Sequence, residues 1–262
     1  MNTGLQGKVA IITGASKGIG KAIALALATE GVRLAICARD DHALKLAADE
    51  IQSQTHADVV AVKANSTRLN DIRRFVNAAI KRFNRIDILA NNAGTLHTGG
   101  ISTTSDEDWE YQIQLKLLGY VRMAREVIKH MRLNGGGKII NIVGATGKEP
   151  NPAHLVSGVL NAALLNFTKV LARELEPDRI FVNAVNPSMV ESVPTNNTPE
   201  KPIPAGQISA EESDLSPARS STNVRARTPE DVANAVLFLA SEQASHLNGT
   251  SINVDAGRSA GL

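Results

Sequence analysis

Short apolar and β-branched runs alternate with longer segments of helical periodicity along most of the 262-residue chain. The pattern predicts strands at residues 8–13, 33–38, 58–63, 87–90, 138–143, 180–185 and 251–254, and helices at 18–30, 41–53, 69–83, 106–131, 153–175 and 229–241. Apolar strands separated by helices are typical of a parallel sheet that is covered on both faces. We therefore predict a doubly wound α/β fold, with one domain spanning residues 1–262.

The composition excludes several classes of protein. With 28 Lys and Arg against 26 Asp and Glu, the net charge of +2 lacks the basic excess typical of nucleic-acid-binding proteins. The single cysteine, Cys37, excludes an internal disulfide framework, and no acidic or histidine cluster has metal-ligand spacing, so no metal is predicted. No apolar run reaches the roughly 18 residues of a membrane span. We expect a cytoplasmic protein without a nucleic-acid or membrane partner.

One segment departs from the alternation of strands and helices. Residues 192–228 contain five of the ten prolines, together with many Ser, Thr, Asn and Glu. A long irregular loop within a compact domain is usually either functional or disordered. A mobile surface insertion and a substrate lid both remain open, and the position after the sixth strand favours a lid.

A glycine-rich loop, Thr13-Gly-Ala-Ser-Lys-Gly-Ile-Gly20, joins the first strand to the first helix. Its glycines permit a tight turn and a close approach of the backbone to a ligand. The free N–H groups and the positive dipole end of the following helix favour a phosphate. Because a strand and a helix flank the loop, it predicts a dinucleotide site. The predicted contacts are Gly14, Ser16, Lys17, Gly18, Ile19 and Gly20.

The residues after the second strand bear on the choice of dinucleotide. NAD-binding chains usually place an acidic residue there for the ribose, whereas this chain has Ala38-Arg39. Arg39 and Lys17 suit a 2′-phosphate, although both could instead be solvated surface cations. Asp40 is adjacent and keeps NAD(H) possible. We predict NADP(H) as the preferred cofactor.

Four motifs together resemble the short-chain dehydrogenase/reductase family, over nearly the full length of the chain. They are the glycine-rich loop, Asn91-Asn-Ala-Gly94, Asn186-Pro187 and the ending Gly249-Thr-Ser-Ile-Asn-Val-Asp-Ala-Gly257. The resemblance implies a Rossmann fold with a seven-stranded parallel sheet and a small-molecule substrate. It also implies a homotetramer or homodimer that packs through its two long helices.

The resemblance implies further contacts with the cofactor. Asn65 and Ser66 would line the adenine, Asn91, Asn92, Ala93 and Gly94 would border the adenosine ribose, and Pro187, Ser188 and Val190 would border the nicotinamide. Asn65 stands where the family usually has Asp, and its amide oxygen can still accept from the adenine amine. Ser188 replaces a usual glycine.

The residues on which the family's activity rests, an Asn, a Ser and a Tyr-x-x-x-Lys pair, are all replaced. The two tyrosines, Tyr111 and Tyr120, are followed four residues later by Leu115 and Ala124, so no such pair exists. A serine hydroxyl titrates too high to replace a phenol without a strong base nearby. The proton-transfer site must therefore differ from that of the family.

Alignment to the family's Lys-Ala-Ala segment places Asn161 at the lysine position, Ser157 at the tyrosine position and Gly144 at the serine position. Lys116 takes the asparagine position on the preceding long helix. There it interrupts an apolar stripe, and its ammonium either extends to solvent or exchanges roles with Asn161. If the two positions are adjacent in space, the exchange still supplies a cation near the nicotinamide ribose.

His154, Ser157 and Asn161 recur at spacings of three and four, which places them on one face of a helix. His154 is the most plausible titratable replacement for the tyrosine, because histidine transfers protons near neutral pH. Its seven-residue distance from Asn161 is similar to the longer Tyr-to-Lys spacing of the family's enoyl-reductase branch. An ordinary histidine at a helix start is the alternative, and His97 is a further candidate. The predicted catalytic set is Lys116, His154, Ser157 and Asn161.

Three functions remain open from the sequence. The first is an NADP(H)-dependent oxidoreductase that acts on a carbonyl, alcohol or enone through a non-standard proton-transfer site. The second is a catalytically silent NADP(H)-binding module. The third is a lyase, dehydratase or isomerase that uses Lys116 or His154 as a base. The cofactor motifs favour the first, but the fold does not decide among them because function lies in the site.

Overall fold

Seven parallel strands form the centre of this computed structural model. They are β1 (Val9–Thr13), β2 (Arg33–Ala38), β3 (Val59–Lys63), β4 (Ile88–Asn91), β5 (Gly137–Ile142), β6 (Ile180–Pro187) and β7 (Ser251–Val254). The structure describes residues 3–188, 228–257 and 259. The strand order is β3-β2-β1-β4-β5-β6-β7, with every neighbouring pair parallel. The order reverses between β1 and β4, and such a switch point is where doubly wound sheets form a ligand crevice at the carboxyl ends of their strands.

Helices cover both faces of the sheet. They are α1 (Gly18–Thr29), α2 (Asp41–Thr55), α3 (Leu69–Phe83), α4 (Asp106–Gln112), α5 (Leu118–Leu133), α6 (Leu155–Glu174) and α7 (Pro229–Ala240). Because side chains alternate along each strand, Ala10 and Ile12 of β1 pack against α1, α2 and α7. Val9 and Ile11 pack on the opposite face against α3, α5 and α6. The predicted doubly wound sheet is confirmed.

The predicted helix over 106–131 is interrupted in the structure. The π-helical turn Ile113–Leu117 separates α4 from α5, and the N–H of Leu118 bonds back to the carbonyl of Ile113. A π-turn widens the helix by one residue and often marks a functional position. The turn contains Lys116. Apolar residues continue at helical spacing through the turn, so the sequence pattern does not show the break.

α6 is a 20-residue helix that is long and apolar enough to cross a membrane by length and composition alone. It packs against β6, and Leu160, Leu164 and Leu171 on its inner face are buried. The buried polar residues Ser157 and Asn161 lie on the same helix. Its apolar character therefore reflects its place in the core of the fold.

The proline-rich segment 192–228 lies outside the described residues, except for its last residue. Thr228 caps α7 through a capping box with Asp231, whose carboxylate accepts from the Thr228 N–H at 2.9 Å. The lid over residues 192–228 therefore stays a prediction.

Candidate functional site

The glycine-rich loop is fastened to the turn that follows β4. The hydroxyl of Thr13 accepts from the N–H groups of Asn92 and Ala93, both at 2.9 Å. The Asn92 side chain donates in return to the carbonyls of Thr13 and Gly14, at 3.0 and 3.1 Å. Two predicted cofactor segments, which are about 80 residues apart in sequence, therefore meet at one edge of the sheet.

The loop leaves an open cradle at the start of α1. Gly14 and Gly18 have φ values of +67° and +55°, which favour glycine, and a Cβ at Gly18 would meet nothing within 4 Å. Gly20 is buried, and a Cβ there would overlap the carbonyl oxygen of Gly14. No side chain among the described residues caps α1, whose N-cap residue is the exposed Lys17. The free N–H groups of this first turn fit a phosphate. Ser16 and Ile19 are partly buried in the same loop.

Arg39 and Asp40 differ in how they are held at the end of β2. Arg39 is exposed and donates to the hydroxyl of Tyr111 on α4 at 2.5 Å. The Asp40 carboxylate instead caps α2 by accepting from the Ala43 N–H at 3.1 Å. Of the two, Arg39 is therefore more available to a phosphate, whereas one Asp40 oxygen is already bonded. Tyr111 was not anticipated, because the contact joins residues 72 positions apart.

Asn65 and Ser66 lie in the loop after β3. The Asn65 side-chain oxygen accepts from both the N–H and the hydroxyl of Thr67, each at 3.0 Å. That oxygen, which was predicted to accept from the adenine amine, already has two intramolecular donors. Ser66 is buried beside Gly119 of α5. The adenine contacts of both residues stay predictions.

Asn91 is buried inside the sheet at the end of β4. Its side chain donates to Asn141 of β5 at 3.0 Å, and Asn141 donates in turn to the Thr168 hydroxyl at 2.9 Å. This chain of bonds holds the two central strands and α6 in register. The Asn91 side-chain oxygen is buried without a hydrogen-bond partner among the described residues.

Only part of the predicted nicotinamide-binding region lies within the described residues. Pro187 is the last residue of β6, and the N–H of Ser188 donates to the carbonyl of Val254 at 3.3 Å. The carboxyl end of β6 is thereby tied to β7. Val190 lies outside the described residues, so its predicted contact is not tested.

Lys116 extends from the π-turn to the carboxyl end of the central strands. A Cβ at Gly94 would lie 3.5 Å from Lys116 Cδ, so the lysine stem runs along the turn after β4. Its Nζ donates to the carbonyl of Val143, directly after β5, at 2.5 Å. Burial lowers the pKa of Lys116 to about 8. An ammonium has three donors, so two N–H groups remain after the bond to Val143.

Asn161 approaches the same stretch of backbone from α6. A Cβ at Gly144 would lie 2.7 Å from Asn161 Nδ2, so the carboxamide occupies the space that a serine at 144 would need. Nδ2 donates to the Thr146 hydroxyl at 2.8 Å. The Asn161 side-chain oxygen is buried and has no partner within the described part of the chain. Lys116 and Asn161 thus reach neighbouring residues, 143 and 144, and their exchange of roles stays a prediction.

The side chains of Ser157 and His154 lie within hydrogen-bond distance of backbone atoms. The Ser157 hydroxyl accepts from the His97 N–H at 3.0 Å and donates to the His97 carbonyl at 3.2 Å. It therefore fastens the loop after β4 to α6. His154 is partly exposed, with Nδ1 2.9 Å from the carbonyl of Ala153. His97 Nε2 is buried, 4.0 Å from the Asp108 carboxylate.

Known proteins match this chain over almost its whole length. A family model described as enoyl-(acyl carrier protein) reductase matches residues 14–259. A 3-oxoacyl-[acyl-carrier-protein] reductase of Synechocystis is 32% identical over 259 residues, covering 97% of this chain and 98% of that protein. The reductase of the same description, FabG, from Thermotoga maritima is 32% identical over 256 residues, covering 97% and 98%.

A solved structure supports the same relation. L-sorbose reductase from Gluconobacter frateurii, solved in complex with NADPH and L-sorbose, aligns with a TM-score of 0.86 and 31% identity, covering 100% of both chains. The glycine-rich loop, the turn after β4 and the strand order lie within these matches. The chain belongs to the short-chain dehydrogenase/reductase family.

Proposed function

We propose that this protein is an NADP(H)-dependent oxidoreductase in which Lys116 transfers the proton that the tyrosine transfers elsewhere in the family. Its substrate would be a small carbonyl, alcohol or enone. The observation that carries the proposal is the Lys116 ammonium, held against Val143 at the carboxyl edge of the central strands. The sorbose reductase, solved with NADPH, supports the choice of cofactor.

The cofactor would be held by the residues that surround the crevice. The N–H groups at the start of α1 would take the pyrophosphate, and Lys17 and Arg39 the 2′-phosphate. The Asn161 oxygen, which has no partner among the described residues, would accept from a ribose hydroxyl, since a buried acceptor without a donor is costly to leave unmet. When bound, the cofactor supplies the hydride chemistry, and the protein supplies position and protons.

Lys116 is the group best suited to move a proton in this crevice. Gly144 has no side chain to donate, and the Ser157 hydroxyl is engaged with the His97 backbone. A lysine whose pKa is about 8 can release a proton near neutral pH. As the C=O bond of a substrate is reduced, an N–H of Lys116 would protonate the oxygen, and the neutral amine would regain its proton from water.

The first experiment is a fluorescence titration of the purified protein with NADPH and with NADH, followed by turnover assays with carbonyls and enones. Steady NADPH oxidation with one of these substrates is the expected result. NADPH binding without turnover would instead favour a silent binding module. Chemistry without net oxidation of the cofactor would favour a lyase or isomerase.

Arg39→Gln is expected to weaken NADPH binding about tenfold or more and to leave NADH binding nearly unchanged. A charge-assisted bond to a phosphate contributes about 1.5–3 kcal/mol, and 1.4 kcal/mol corresponds to a factor of ten. Tyr111→Phe is the matched control, because it removes the partner of Arg39 and keeps the guanidinium. An Arg39→Gln variant that keeps the wild-type Kd for NADPH would contradict the assignment.

Ser157→Ala is expected to lower stability without removing catalysis. The substitution breaks two bonds to the His97 backbone, at roughly 1 kcal/mol each. Since Ser157 does not donate the reacting proton, kcat should fall by less than the roughly hundredfold that loss of a general acid costs at minimum. A larger fall in kcat at an unchanged Tm would show that the hydroxyl takes part in the chemistry.

We further propose that the protein assembles as a homodimer or homotetramer through α5 and α6. The exposed Leu133 on α5, and Val159 and Val170 on α6, support this assembly because apolar side chains in this position gain from burial. The cytoplasmic location and the substrate lid over 192–228 stay predictions.

A further inference from the structure

A cavity of about 270 Å³ opens at the amino ends of the strands, on the opposite edge of the sheet from Lys116. Lys8 lies just before β1, Ile88 begins β4, Gly137 begins β5, and Phe181 is the second residue of β6. The cavity therefore gathers residues from the starts of four strands. None of these residues belongs to the cofactor crevice.

Gly135, Gly136 and Gly137 form part of the floor of the cavity. A Cβ at Gly136 would lie 2.5 Å from the Arg179 carbonyl oxygen, and one at Gly137 would lie 2.6 Å from the Met131 sulfur. At Gly135 a Cβ would lie 3.3 Å from Arg179 Nη2, so the guanidinium lies over this floor. Gly136 and Gly137 therefore let the backbone pack closely on Arg179 and Met131, and the Arg179 guanidinium borders the cavity.

The walls of the cavity carry an excess of positive charge. Arg85 and Asp87 neutralise each other through two hydrogen bonds of 2.9 and 2.6 Å. The other charged residues of the wall are three cations, Lys8, Lys138 and Arg179, and one carboxylate, Glu242. They leave an excess of two positive charges. No ion pair between described residues includes any of the three cations.

Of the three cations, Lys138 is the best placed to bind an anion. Its Nζ lies 4.5 Å from the centre of the Phe181 ring and 3.3 Å from the Ala244 carbonyl. The side chain is partly buried. Burial lowers the pKa of Lys138, and the negative charge of Glu242 offsets part of this lowering. A partly desolvated cation attracts an anion more strongly than one in bulk water, because the local dielectric constant is lower.

We propose that this cavity binds the oxyanion group, phosphate or carboxylate, of a small organic anion. Lys8, Lys138 and Arg179 would contact the oxygens. Leu5, Ile88 and Phe181 would provide an apolar wall for its carbon atoms, as in pockets for small ligands generally. The site is independent of the proposed redox function, since it lies at the other edge of the sheet.

A tryptophan placed in the cavity tests the proposal. Trp109 is the single tryptophan of the chain, so Trp109→Phe with Phe181→Trp leaves one reporter in the cavity wall. Inorganic phosphate and succinate are titrated separately at constant ionic strength, which distinguishes the phosphate class from the carboxylate class. A saturable change in emission with either anion is expected. Phosphate that binds at α1 lies at the opposite edge and should not move this signal.

Lys138→Gln with Arg179→Gln in the reporter protein is expected to raise the half-saturating concentration at least tenfold. Lys81→Gln with Arg173→Gln is the matched control, because both residues are exposed, lie outside the cavity and remove the same charge. The control should keep the half-saturation of the reporter. No saturable change with either anion, or an equal response of the two double variants, would overturn the proposal.

Discussion

Lys116→Met is expected to lower kcat for reduction by about 10²- to 10⁴-fold, the usual contribution of a positioned general acid. Methionine keeps the apolar stem that runs along Gly94 but has no proton to donate. Because the proposed contacts with the pyrophosphate and the 2′-phosphate lie elsewhere, the Kd for NADPH should change by much less than kcat. Stopped-flow turnover and fluorescence titration measure the two quantities separately. Wild-type kcat in this variant would exclude Lys116 as the acid.

Lys116→Arg separates proton transfer from electrostatic attraction. Arginine retains the positive charge but does not lose its proton at accessible pH. If Lys116 only attracts the cofactor or the substrate, the arginine variant should remain active. If Lys116 donates the proton, the arginine variant should be nearly as slow as the methionine variant. An arginine variant with wild-type kcat would therefore contradict the proposed chemistry.

The pH dependence of the reaction follows from the same group. Reduction requires protonated Lys116, and its pKa is about 8, so the reduction rate should fall about tenfold per pH unit above that value. Oxidation of an alcohol requires the neutral amine and should rise through the same range. In Lys116→Met both profiles should lose this titration.

The pH dependence of the unfolding free energy tests the direction in which the Lys116 pKa is shifted. Burial lowers this pKa below the usual lysine value of 10.5, so the unfolded chain binds more protons between about pH 8 and 10.5. The contribution of Lys116 to the unfolding free energy therefore rises with pH across that window, and its cost is present in full below pH 8. Lys116→Met should accordingly have a Tm at pH 7 no lower than that of the wild type.

The sheet and the glycine-rich loop could be predicted because their signals are local. Continuous apolar runs mark the buried parallel strands, and the glycines stand directly between β1 and α1. The helix over 69–83 was predicted with its observed bounds, since it has a strongly amphipathic pattern with Asp71 in its first turn and Lys81 and Arg82 in its last. Such features need no knowledge of the rest of the chain.

Contacts between distant segments could not be predicted in the same way. The π-turn that carries Lys116 leaves no mark in a pattern whose apolar spacing continues through it. Ser157 was predicted to share a helix face with Asn161, and both are buried on α6, but the partner of Ser157 is a backbone 60 residues away. The substitutions at Gly144 and Asn161 can both be recognised in the sequence. Only the folded structure shows that the Asn161 carboxamide fills the space of the missing serine.

Gly20→Ala and Gly18→Ala are expected to abolish or severely weaken binding of NADPH and NADH alike, but for different reasons. A Cβ at Gly20 would overlap the Gly14 carbonyl and lie 2.5 Å from Asn92 Nδ2, so the loop itself must move. We expect a loss of at least about 1–3 kcal/mol in the unfolding free energy, as in other overpacked sites. A Gly20→Ala variant with wild-type Tm and affinity would contradict the observed packing.

Gly18→Ala meets no neighbouring atom, so its cost to the free protein is the backbone strain of a positive φ, about 1–2 kcal/mol. Its methyl group would stand in the open space before α1, where we place the pyrophosphate. The increase in Tm that saturating NADPH gives the wild type should therefore disappear, while the free protein remains folded by circular dichroism. Because Arg39→Gln should affect NADPH alone, loss of both nucleotides here would locate the shared pyrophosphate at α1. An undiminished NADPH-induced shift would place it elsewhere.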